Sequence, residues 1–74
     1  MANDKGKLKV GIAGYGVVGK LRQQFVDRHS RLKTIAVCDR NFTEPAVMPD
    51  GIRCFSDYRQ LIEEPLDILF VSLP

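Results

Sequence analysis

The chain has no tryptophan, a single histidine and only two cysteines among its 74 residues. Cys38 and Cys54 form no CxxC or zinc-type spacing, so neither a metal centre nor a redox pair follows from them. Both stand in apolar runs, and buried thiols in a reducing compartment are expected, not a disulfide. Charge of one sign is also lacking: 11 basic residues face 9 acidic ones, a net +2. Such a balance does not mark a nucleic-acid or acidic-membrane binder. The loose cluster Arg28, His29 and Arg31 reads as a solvated helix end, where cations suit the dipole. No run approaches the roughly 20 apolar residues of a membrane span. The opening MANDKGKLK has no apolar centre of the secretory kind. A cytoplasmic location, with neither nucleic acid nor membrane as partner, is therefore expected. Without internal repeat, low-complexity tract or linker, residues 1–74 are read as one small domain near the lower size limit for independent folding.

What is present is concentrated in residues 7–20, KLKVGIAGYGVVGK. A short apolar strand (Leu8, Val10, Ile12) runs into Gly14-Tyr15-Gly16-Val17-Val18-Gly19, and a helical pattern follows. That order is what a dinucleotide-binding turn requires. Gly14 permits the sharp turn out of the strand, Gly16 permits close approach of a pyrophosphate, and Gly19 lets the helix lie against the strand. The N–H groups of Val17 and Val18 would face the phosphates at the positive end of the helix dipole. An acidic residue, Asp39, ends a second apolar run about 20 residues further on, as the fingerprint asks. Tyr15, inside the turn, is placed either to shield the pyrophosphate or to pack over the turn.

Taken in order, the chain predicts a strand over 7–13 and a helix over 16–27. Val18, Leu21 and Phe25 form the helix's apolar stripe and are expected in the core, with Arg22 turned outward. A second strand over 32–39 is β-branched and continuously apolar, as a parallel strand covered on both faces should be. Residues 40–51, with two prolines and a Pro-Asp-Gly, read as loop. A third strand over 52–55 precedes a short helix capped by Ser56 or Asp57. Asp57-x-x-Gln60 looks like a capping box, Tyr58, Leu61 and Ile62 like the buried face, and Pro65 like the stop. Residues 66–73 form a fourth strand, with Asp67 a turn residue at its start. Right-handed crossovers then predict an α/β fold, half of a Rossmann fold, with four parallel strands in order 3-2-1-4 and one helix on each face. The outer edge of strand four is left open in that order. The chain is accordingly expected to be part of a longer protein, or to self-associate through that edge.

Four segments together resemble the N-terminus of the glucose–fructose oxidoreductase/inositol dehydrogenase (Gfo/Idh/MocA) family: VGIAGYGVVGK, IAVCDR, FSDYRQLIEE and LDILFVSLP. The resemblance implies an NAD(P)-dependent oxidoreductase of sugars, polyols or related hydroxy compounds. It assigns Gly14, Gly16, Val17, Val18 and Gly19 to the pyrophosphate, Asp39 and Arg40 to the adenosine ribose, and Leu73 and Pro74 to the nicotinamide side. The family's catalytic Glu-Lys-Pro and its substrate domain have no counterpart here, so no catalytic residue is assigned and the isolated chain is expected to be inactive. Homoserine and diaminopimelate dehydrogenases open similarly. A non-catalytic NAD- or nucleotide-sensing module is the alternative from another class.

Between cofactors, Asp39 favours NAD. Its carboxylate can accept hydrogen bonds from ribose hydroxyls, whereas a 2′-phosphate within about 4 Å would cost on the order of a few kcal/mol. Arg40 pulls the other way if it pairs with that phosphate, but it can equally stack on adenine. NADP use is left open on this basis.

Overall fold

The computed structural model describes residues 6–72. Five strands and two helices follow one another as β1 (Leu8–Ala13), α1 (Val17–Arg28), β2 (Leu32–Cys38), β3 (Ala46–Val47), β4 (Arg53–Phe55), α2 (Tyr58–Leu61) and β5 (Ile68–Val71). They form one sheet in the order β3-β4-β2-β1-β5, parallel throughout except for the antiparallel β3–β4 pair. The four parallel strands thus stand in the order the sequence predicts, with α1 on one face and α2 on the other.

The fifth strand is the departure. Residues 40–51 are not all loop, because Pro49-Asp50-Gly51 closes a hairpin. Gly51 takes φ +88°, its N–H donates to the Met48 carbonyl, and the Asp50 carboxylate accepts from Ile52 N–H. The two residues of β3 are both exposed and add only backbone pairing at the sheet edge. So short a strand between prolines carries no periodicity from which it could be read.

Two apolar layers hold the sheet. On the α1 face Val10, Ile12, Val37, Ile52 and Cys54 pack with Val26, flanked by Tyr15, Phe42 and Phe70. On the α2 face Ala13, Ala36 and Cys38 pack with Leu61, flanked by Ile35, Phe55 and Leu66. Gly11 belongs to this second layer: a Cβ there would run into the side chains of Leu66 and Leu61. At the start of β5, Lys9 N–H donates to the Asp67 carboxylate and Asp67 N–H to the Lys9 carbonyl, both at 2.8 Å. This reciprocal pair sets the β1–β5 register.

The helices lie differently from their hydrophobic pattern. Val18, Leu21 and Phe25 of α1 are 57, 58 and 67% exposed, while Gly19 and Val26 face the sheet. The cause is Gly19. A Cβ there would collide with the Gly14 carbonyl, so the helix touches β1 through this residue and Val26 follows on the same side. At 100° per residue, the apolar stripe is then carried roughly 100–160° away from the sheet. In α2 only Leu61 is buried; Tyr58 and Ile62 are exposed. Nor does a reciprocal capping box form. The Asp57 carboxylate accepts from Arg59 N–H and holds the Arg59 guanidinium, and Gln60 Oε1 has no hydrogen-bond partner.

Candidate functional site

The carboxyl ends of β1, β2, β4 and β5 and the amino end of α1 enclose a cleft of about 710 Å³. Ligands in open α/β sheets bind on this side, where neighbouring crossovers diverge to opposite faces. Gly14 leaves β1 at φ +95°, a conformation that favours glycine. Its N–H donates to the Cys38 carbonyl at 2.8 Å, and Ser72 N–H donates to the Ala13 carbonyl at 2.7 Å. These bonds tie the turn to the ends of β2 and β5. Gly16 caps α1 without a side-chain acceptor, and the first helical turn carries no acidic residue. The leading N–H groups of the helix are therefore left for an anion.

Gly14, Gly16, Val17, Val18, Asp39 and Arg40 all line this cleft. Gly19 lies beneath it, packed on Gly14 and Ile12. Leu73 and Pro74 fall outside the described residues. Asp39 bridges the cleft's two walls: one carboxylate oxygen accepts from Tyr15 N–H at 2.8 Å, the other from Asn41 N–H at 2.9 Å. A carboxylate offers about four acceptor sites, so each oxygen keeps capacity for a further donor.

The structure places the Tyr15 side chain away from the cleft, among the hydrophobic residues of the α1 face. Its hydroxyl donates to Gln23 Oε1, its ring lies 6.2 Å from that of Phe42, and Lys20 Nζ stands 5.8 Å from its centroid. Burial, followed by the negative fields of Asp50, Cys54 and Asp27, pushes its hydroxyl pKa up. Of its two sequence-level alternatives, packing is the one the side chain adopts; only its backbone N–H faces Asp39. Burial also raises both thiols: for Cys38, Asp39 and Asp57 add to it against a Gly14 N–H bond, and for Cys54, Asp50 adds to it. Neither is an activated nucleophile. His29 caps the far end of α1, its Nδ1 accepting from Arg31 N–H.

Sequence reasoning passed over Arg22, Asn41, Ser56, Tyr58, Val71 and Ser72, which also line the cleft. Ser56, Tyr58 and Ser72 follow the ends of β4 and β5, and the rule that ligands sit beyond carboxyl ends of parallel strands was signal enough for them. Arg22 carried none, because its place depends on how α1 is rotated. Among the described residues no group of three or more potential metal ligands occurs, and no helix is long and apolar enough to cross a membrane.

No protein-family model matches the chain, and no curated protein matches it. Among solved structures, the WlbA dehydrogenase from Bordetella pertussis, in complex with NADH and UDP-GlcNAcA, is similar over 92% of this chain, with a TM-score of 0.73 and 23% identity. This chain spans 22% of that one. At such identity the likeness establishes the fold, a partial Rossmann fold shared with part of a dehydrogenase.

Proposed function

We propose that this chain is the NAD-binding portion of a nicotinamide-dependent oxidoreductase of the Gfo/Idh/MocA kind, acting on sugars, polyols or related hydroxy compounds. One observation carries the binding half: the glycine turn, the free amides of α1 and Asp39 converge on a single cleft. In this reading the Val17 and Val18 amides hold the pyrophosphate and Asp39 accepts from the ribose hydroxyls. Arg40 lies along the adenine or pairs with a 2′-phosphate. The family resemblance assigns Leu73 and Pro74 to the nicotinamide side. The NADH in the WlbA dehydrogenase complex supports the choice of NAD, and its nucleotide-sugar ligand is in keeping with a hydroxylated substrate.

A bound NAD would supply the hydride acceptor for a substrate carbinol carbon, and the hydroxyl proton would then need a base. No residue of this chain is assigned to that proton, and in this reading the chain is a cofactor domain that is inactive alone; a cytoplasmic location is proposed with it. The open edge of β5 is proposed as a site of self-association.

The test is an amide NMR titration with NAD and, separately, NADP. Shifts at residues 14–19 and at Asp39 under NAD alone are expected. Equal shifts under NADP would mean that Arg40 outweighs Asp39, and a dispersed spectrum unmoved by millimolar NAD would refute binding.

A further inference from the structure

One charge in the cleft has no part in this reading. Arg22 lies in the second turn of α1, and its guanidinium carbon stands 5.1 Å from the centroid of the Phe70 ring on β5. Among the described residues it forms no ion pair; the carboxylates of Glu64 and Asp57 are taken by Arg53 and Arg59. Stacking on a ring uses the face of a guanidinium and leaves its in-plane N–H donors unspent. Arg22 is itself among the residues that line the cleft, in the company of Val18 and Val71.

Geometry directs the side chain toward the turn. Arg22 is five residues beyond Val17, about 7.5 Å along the helix axis. Helical side chains lean toward the amino end, and an extended arginine covers that distance. The cleft's other charges come from the end of β2, where Asp39 is held by the Tyr15 and Asn41 amides and Arg40 follows it in sequence. A pyrophosphate seated on the α1 amides would therefore lie between two cations, with Arg22 alone on the β5 side.

We infer that Arg22 is the side-chain counter-charge of the dinucleotide pyrophosphate, donating a charge-assisted hydrogen bond to a phosphate oxygen on the β5 side of the glycine turn. The inference rests on the cofactor reading above and deepens it. Phe70 acts as the rest that holds the guanidinium there.

The test compares NADH, ADP and adenosine binding by calorimetry for the whole chain and for Arg22→Met and Arg22→Lys. Arg22→Met is expected to weaken NADH and ADP about tenfold, the scale of one charged hydrogen bond, and to leave adenosine unchanged. Arg22→Lys should recover part of the loss. In the unsubstituted chain the Arg22 Nε–Hε resonance should move with NADH and ADP but not with adenosine, a readout that does not depend on either variant folding. Equal NADH affinity in Arg22→Met, equal loss of all three ligands, or an unmoved Nε–Hε signal in the NADH-bound chain would overturn the inference while leaving the cofactor reading intact. A chain that binds none of the three would overturn both.

Discussion

The glycines of the turn separate two demands that the sequence motif merges. Gly19 is required by the protein itself, since any Cβ meets the Gly14 carbonyl. Gly16 is not: no protein atom lies within 4 Å of a Cβ built there, and its φ of −84° is open to any residue. Gly19→Ala is expected to lower stability by more than about 2 kcal/mol in urea denaturation, because backbone must move. Gly16→Ala should leave the unfolding free energy from urea denaturation within about 0.5 kcal/mol of the original yet weaken NAD in the same NMR titration, since the methyl group intrudes only on a ligand. A second residue-scale expectation concerns alkali. Cys38 and Cys54, from an ordinary 9.0, and Tyr15, from 10.0, are all shifted upward in the fold. An acid whose folded pKa is raised leaves stability untouched below its unfolded pKa and lowers it as pH rises beyond. Stability should hold to about pH 9 and then fall. Replacing both cysteines with alanine should postpone the fall to the tyrosine range near pH 10.

At the scale of elements, the helices show how a local contact overrides an amphipathic pattern. The stripe Val18, Leu21, Phe25 has the spacing of a buried face but is solvent-exposed, and Val26 does the burying. Val26→Ala should accordingly cost about 2 kcal/mol, two lost methyl groups plus the cavity they leave, while Phe25→Ser should cost under about 0.5 kcal/mol. Guanidinium unfolding followed by circular dichroism distinguishes the two, and the reverse order would mean that α1 is rotated in solution. The short α2 depends on one anchor. Leu61, fully buried against Ala13, Ala36 and Cys38, is the residue whose change to alanine should cost about 2–5 kcal/mol.

For the whole molecule, the sheet has two unlike edges. The β3 edge is a two-residue strand following Pro45, short enough to resist pairing. The β5 edge is four residues long, with Leu69 and Val71 exposed and the apolar stripe of α1 also uncovered. A C2 pair of β5 strands would extend the sheet across two chains and cover part of this surface. Light scattering should therefore show a mass that rises with concentration, and Leu69→Lys should return it to that of the monomer. A monomer at all concentrations would refute pairing.

Much of this architecture is legible in residue order alone. Strand–glycine turn–helix, two apolar parallel strands and the handedness of crossovers are local or chiral constraints, so the four-strand order and the gathering of Gly14, Gly16, Val17, Val18, Asp39 and Arg40 at one sheet edge follow from them. What only tertiary contact could decide is rotation and direction. Packing of Gly19 against Gly14 turned the apolar stripe of α1 outward and brought Arg22 to the cleft. Enclosure by Phe42 and Gln23 drew the Tyr15 ring away from it. The Pro-Asp-Gly hairpin added β3. In each case the deciding force is a specific three-dimensional contact, near in sequence for Gly14 and Gly19 and far for Tyr15 and Phe42, which periodicity along the chain does not record.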